Sequence, residues 1–402
     1  MPTTLTYDAL KSAVAGGAAA FRLTLRLEAI SPKVFPPTYE GGKYATETRR
    51  IGGQELPCVL LDSVPSQANR MELALQEAVD GGEMQLPVLT VNFAATDNPN
   101  VPRVTSLQAP HRIADAILRD SYLGKTRFRQ SEIGKELDTL SIANATPLLK
   151  HAPTCLVFGM WDSTGPRGGL GVKFARAVVS EIIGVNAVGG VKTSSRIDPL
   201  NIRANAGLLF KAKDGWTLDE ANATKDKGKP VKFGKDGKPS EANHSNIPPS
   251  VSAVGSGGFT IDYAEQTTVL SLPALRRLRF PLAGAKSTAA ADVAARTYLA
   301  ALGLLGAVLA VEAGYDLRSR CLLQATTATA WELLGRPGEA PATVVLSKEQ
   351  ALALYAESLA AVRAAGLPVH TEEVPLTPSP DLVTLVKKSM EIAALDTTGE
   401  GS

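Results

Sequence analysis

The chain has 402 residues, 44% of them hydrophobic and 20% charged, which excludes wholesale disorder or fibre and allows about two or three domains. A formal charge of +2 excludes a strongly basic or acidic protein, although nucleic-acid binding depends on where the charge lies rather than on its total. Gly and Pro supply 61 residues, a little above the usual share of about 12%, which points to a loop-rich α+β protein rather than a helical bundle.

Residues 19–30 alternate Phe21, Leu23, Leu25 and Leu27 with Arg22, Thr24, Arg26 and Glu28, the cleanest period-two strand in the chain. Residues 31–53 are polar and rich in Gly and Pro, a loop or small finger-like excursion. A short strand at 58–61 leads into Ser63 and Pro65, which predict a helix start. Further on, 86–93 reads as a strand, 111–120 as a short helix and 154–161 as an apolar strand. The stretch 173–188 fits helix and strand alike. From 205 to 258 the character changes, with eight lysines against five acids between Lys211 and Lys238, so a mobile functional loop or disorder is expected. Strand character resumes at 259–272, the strongest helix covers 288–313, a strand follows at 318–323, and a last amphipathic helix starts at Ser347. The greasy run 297–311 has 15 residues, short of the roughly 18 that a membrane span needs, and reads as a buried helix. The 13–20 stretch is too weakly apolar for a signal-peptide core. This order of elements suits a ferredoxin-like βαββαβ core with large insertions.

Chemistry-bearing motifs are sparse. Cys58, Cys155 and Cys321 lie far apart with no Cys-x-x-Cys, which argues against disulfides and structural zinc and for a reducing cytoplasm. The four histidines, His111, His151, His244 and His370, show no metal-ligand spacing, and no G-x-S-x-G elbow exists. No catalytic residue, metal or cofactor is expected. The loop Gly165-Pro-Arg-Gly-Gly-Leu-Gly171 lacks the Lys-Ser/Thr ending of a P-loop, yet glycines let backbone amides approach an anion, with Arg167, Lys173 and Arg176 nearby. Ser66, Gln67, Asn69 and Arg70 sit where a helix N-terminus holds either its own cap or an anion. Arg196 and Arg203 continue a stretch in which fourteen bases face seven acids between Arg167 and Lys238. A solvated face is the plain alternative; a phosphate-tracking surface is the functional one.

Three segments together, VLLDSVPSQANRMELAL (59–75), FGMWDSTGPRGGLGVKFARAVVSEIIGVNAV (158–188) and KTSSRIDPLNI (192–202), resemble the Cas-seven-like RAMP backbone subunit of type I-G (formerly type I-U) CRISPR Cascade effectors. The resemblance implies an RRM-like or ferredoxin-like palm over 1–204 and 259–338, an inserted thumb-like loop over 205–258 and finger-like loops, beside an acidic helical region at 339–402. It implies a scaffold in the prokaryotic cytoplasm that binds crRNA and stacks with further copies of itself in a helical filament. Other Cascade members, a large subunit and a foot or guide-processing subunit, would join it. The guide would pair with target DNA, and a separate nuclease–helicase would cut; no membrane is involved. Candidate RNA contacts are then Arg22, Ser66, Gln67, Asn69, Arg70, Arg167, Gly168, Gly169, Lys173, Arg176, Arg196 and Arg203. A guide differs in every spacer, so contacts to phosphate and sugar rather than base edges are required. The competing readings are a RAMP-type endoribonuclease that matures the guide, with His111, His151 or His244 as general base, and a small-molecule enzyme holding a phosphorylated substrate on the Gly-rich loop.

Overall fold

Alternation decides the first long strand. In Ala20–Ala29, Phe21, Leu23, Leu25 and Leu27 are fully buried while Thr24, Arg26 and Glu28 are exposed. The computed structural model describes residues 3–94, 103–165, 171–282 and 285–398. The chain opens with helix α1 (Tyr7–Ala15) and strand β1 (Ala20–Ala29), then the hairpin of β2 (Thr46–Ile51) and β3 (Gln54–Asp62). Helix α2 (Val64–Asp80) and strand β4 (Val88–Asn92) follow, then α3 (Thr154–Phe158), β5 (Met160–Trp161), β6 (Lys173–Phe174) and β7 (Val178–Val185). Two strands, β8 (Thr193–Arg196) and β9 (Ile247–Val251), precede β10 (Tyr263–Ser271) and helix α4 (Ala289–Glu312). The last stretch carries β11 (Tyr315–Arg318), β12 (Cys321–Ala325), β13 (Trp331–Leu334), β14 (Ala342–Val345), α5 (Lys348–Ala364), β15 (Glu373–Pro378) and α6 (Pro380–Thr398).

The result is an α+β protein around a ten-stranded mixed sheet in the order Thr3–Thr4, β14, β13, β1, β10, β7, β3, β2, with β12 also on β1 and β11 on β12. Thr3–Thr4 runs parallel to β14 and the other pairings are antiparallel. The strands β12, β1, β10 and β7 lie side by side, whereas their chain order is β1, α2, β7, β10, α4, β12. Such a crossing needs one helix between β1 and β7 and another between β10 and β12, and α2 and α4 fill those places. Ser63 caps α2 by accepting the Ser66 amide, and Thr288 caps α4 by accepting that of Ala291.

Helix α4 is long and apolar enough to cross a membrane, but its side chains are taken up by α1, α2, α3 and α5. Tyr298, Leu299, Leu302 and Leu305 are fully buried there, each burial contributing about 1.5–3 kcal/mol. Gly303 sets the approach of α4 to the sheet: a Cβ would lie 2.8 Å from Val178 Cγ2.

Two compact units divide the chain. One runs to Val188 and resumes over Phe259–Ser379; the other takes Gly189–Gly258 and continues from Pro380. In the second unit, β8 pairs with β9, Phe210–Ala212 with Gly215–Thr217, and Lys225–Asp226 with Lys229–Pro230. Leu209, Phe210 and Ala223 are its buried apolar residues in the lysine-rich stretch. The low-complexity composition at 205–258 thus conceals short antiparallel pairs, their turns closed at Gly215 and at Lys227–Gly228 with positive φ.

Several expectations are corrected. The apolar run at 154–161 is not one strand: Thr154–Phe158 is helical and Met160–Trp161 is extended, with the break at Gly159, φ +88°. A run buried on every side carries no periodicity, and packing under α4 decides its form. The 31–53 loop contains β2, which pairs with β3 across Gly52 and Gly53, both at positive φ. Residues 173–188 resolve as strand. The helix from Ser347 is followed by another, α6. Residues 339–379 form no region of their own, because β14 extends the main sheet, α5 packs on α4 and β15 pairs in parallel with β4.

Candidate nucleic-acid interface

β3 ends at Asp62 and α2 begins two residues later, so side chains from the first two turns of α2 converge on one fully buried carboxylate. Asp62 Oδ1 accepts from Ser66 Oγ (2.8 Å) and an Arg318 Nη (3.1 Å); Oδ2 accepts from Gln67 Nε2 (2.6 Å) and Arg70 Nε (2.9 Å). Arg70 also donates to the Leu317 carbonyl and Arg318 to that of Leu61. Gln67 Oε1 accepts from Ser180 Oγ and Gln266 Nε2, and Tyr315 donates to Gln266 Oε1, which carries the network across β7 and β10 to β11. Burial of so many polar groups is tolerable because they satisfy one another. Ser66, Gln67 and Arg70 are thus engaged by Asp62, with Gln67 buried and Ser66 and Arg70 half-buried, and of this segment's candidates only Asn69 is exposed. The sequence reading missed Asp62 and Arg318 because the residues that make them a hub lie up to 256 positions apart.

Arg22 points away from the core, but its Nε donates to Glu332 on β13 at 2.7 Å, and Arg26 stacks 3.9 Å from the Tyr263 ring centroid. Both lie on one partly exposed face of β1.

A second cluster forms where α3 turns into β5. Glu72 of α2 and Arg112, both buried, make a bidentate pair at 2.6 and 2.7 Å, and another Nη of Arg112 donates to the Gly159 carbonyl at 3.0 Å. Burial pushes the Glu72 carboxyl up to about 7, opposed by the Arg112 and Arg176 cations. Beside this pair opens a cleft of about 320 Å³ lined by His111, Arg112, Phe158, Trp161, Lys173 and Arg176 among others. Trp161 is 53% exposed and lies opposite Lys173 in the β5–β6 pair. Burial lowers the Arg176 pKa, and the Arg112 cation lowers it further. Gly159 is required for two reasons: its positive φ, and a Cβ that would sit 3.0 Å from Arg176 Cγ. Arg167, Gly168 and Gly169 lie outside the described residues. Glu72, Arg112 and Trp161 carry no role in the sequence analysis, although Glu72 lies within 59–75 and Trp161 within 158–188, two of the segments that carry the resemblance.

In the second unit, Asp198 organises the 193–203 segment by accepting the amides of Leu200 and Ser245. Arg196 stands opposite Ile247 in the β8–β9 pair, and Arg203 is exposed.

His151 is buried, with Nε2 2.9 Å from a Glu136 carboxylate oxygen and its ring against His370, and burial pushes its pKa down to about 4. His111 lines the cleft, while His244 packs on the Trp216 ring in the second unit. Among the described residues no group of three or more His, Cys, Asp or Glu is placed to hold a metal ion.

Comparison with known proteins adds one finding. No curated protein matches the chain. Residues 26–188, which include Asp62, Glu72, Arg112 and the whole β5–β6 cleft, match the family described as CRISPR-associated protein GSU0053. Over that segment the chain is similar to that family, and the match indicates a CRISPR-associated protein.

Proposed function

We propose that this chain is the crRNA-binding backbone subunit of a type I-G Cascade, a scaffold rather than an enzyme, polymerising along the guide and presenting it to target DNA. The observation that carries the reading is the family match over residues 26–188; the strand order β12, β1, β10, β7 supports it, since 4-1-3-2 is the order that a ferredoxin-like or RRM-like palm would have. In this reading the 205–258 stretch, which lies within the Gly189–Gly258 unit inserted between β7 and β10, is the thumb. Arg167, Gly168, Gly169, Lys173 and Arg176 contact guide phosphates, with Asn69, Arg196 and Arg203 as further contacts. Phosphate recognition suits a ligand whose base sequence varies. Large and foot subunits, and a nuclease–helicase for cutting, are its expected partners.

The test is purification from cells that carry a CRISPR array. The protein should emerge with excess absorbance at about 260 nm from RNA of discrete length containing the repeat. Protein free of such RNA, or cleavage of precursor guide by the pure chain that a histidine substitution abolishes, would overturn the scaffold reading in favour of an enzyme.

A further inference from the structure

The β5–β6 cleft combines features that phosphate binding alone does not require. Its most exposed aromatic, Trp161, is held by a short strand pair in which the neighbouring Met160–Phe174 rung is buried, so the indole is presented by an anchored support. Lys173 lies directly across from it, and Arg176 follows in the same wall. Neither cation has an ion-pair partner among the described residues, and Glu72, the carboxylate whose charge acts on Arg176, is committed through two hydrogen bonds to Arg112. The cleft is therefore cationic, with a half-exposed indole among its lining residues. Its volume of about 320 Å³ reaches the lower end of the range for small-ligand pockets.

We propose that Trp161, Lys173 and Arg176 form a subsite for one unstacked nucleotide of single-stranded RNA, the indole stacking on the base and the two cations holding its phosphate. This rests on the guide-RNA reading and adds to it a base contact that is insensitive to sequence, since every base offers a π-face. An apolar protein surface covering Trp161 would bury Lys173 and Arg176 without counter-charges, which is unfavourable. A nucleotide supplies the apolar face and the anion together. The Glu72–Arg112 pair has a positioning role, because its hydrogen bond to the Gly159 carbonyl fixes the turn from which Trp161 projects.

The experiment compares two labelled strands on the full chain stripped of cellular RNA: an oligoadenylate of about ten nucleotides and the same strand with abasic riboses. Wild type should prefer the oligoadenylate. Trp161→Ala should weaken oligoadenylate binding by about fivefold to a hundredfold and leave the abasic strand unaffected, while Trp161→Phe stays within about threefold of wild type. Lys173→Ala with Arg176→Ala should weaken both strands alike. If Trp161→Ala keeps the preference for bases, the stacking subsite is wrong while backbone binding stands. If wild type binds neither strand, the subsite and the guide-RNA reading both fail. A change in solution mass of RNA-free Trp161→Ala would assign the indole to a contact between copies of the chain and overturn the proposal.

Discussion

Replacing Asp62 by Ala tests whether the Ser66–Arg70 motif is structural. The change removes one fully buried carboxylate and the acceptor of four hydrogen bonds, from Ser66, Gln67, Arg70 and Arg318. Breaking a buried ion pair from one side costs about 3–5 kcal/mol. The Arg70 and Arg318 side chains are 32% and 26% exposed and recover some water, which places their share near the lower end of that range. Gln67 is buried and loses the acceptor of its Nε2, which adds about 1–2 kcal/mol. The sum is about 4 kcal/mol, or a fall in Tm of roughly 6 °C at about 1.5 °C per kcal/mol for a compact unit of about 310 residues. Urea unfolding followed through the buried Trp331 reads the same quantity. The double variant Asp62→Ala, Arg70→Met should cost less than the sum of its singles, since the second change removes a cation that the first left unpaired. An Asp62→Ala protein as stable as wild type but weakened in RNA binding would refute the structural assignment and return Ser66, Gln67 and Arg70 to the interface.

Three further outcomes are expected. His151 has a folded-state pKa of about 4 against an ordinary 6.5, so its contribution, about 3 kcal/mol, is present in full above pH 6.5 and lost as pH falls through 4; thermal melts across that window should be flatter for His151→Gln. Replacing Arg167, Lys173 and Arg176 together by Ala should weaken guide binding for every spacer alike and flatten the salt dependence by about 0.7 per lost phosphate contact, as titrations at several salt concentrations would read. Gly303→Val should destabilise by about 1–3 kcal/mol or more in urea unfolding, because its Cβ alone would stand 2.8 Å from Val178 Cγ2 where α4 meets the sheet.

Where periodicity and capping act over a few residues, the sequence alone determined the outcome. The alternation in β1, the Ser63 start of α2, the Thr288 start of α4 and the Ser347 start of α5 were all legible, because each is a local rule satisfied by neighbours in the chain. The α+β class followed from their order. Tertiary structure alone decided the rest. The run at 154–161 became helix and strand under α4, β14 within 339–379 extended the main sheet, and the lysine-rich insertion acquired paired strands. The candidate site divided for the same reason. Ser66, Gln67 and Arg70 look like free polar groups at a helix start until Arg318 and Gln266 arrive from remote strands and complete a buried network on Asp62. Lys173 and Arg176 look like ordinary solvated bases until Gly159 and Arg112 place Trp161 beside them. Charge and polarity are written in the chain, but whether a polar group meets water, a ligand or another side chain depends on contacts hundreds of residues apart, which no local pattern encodes.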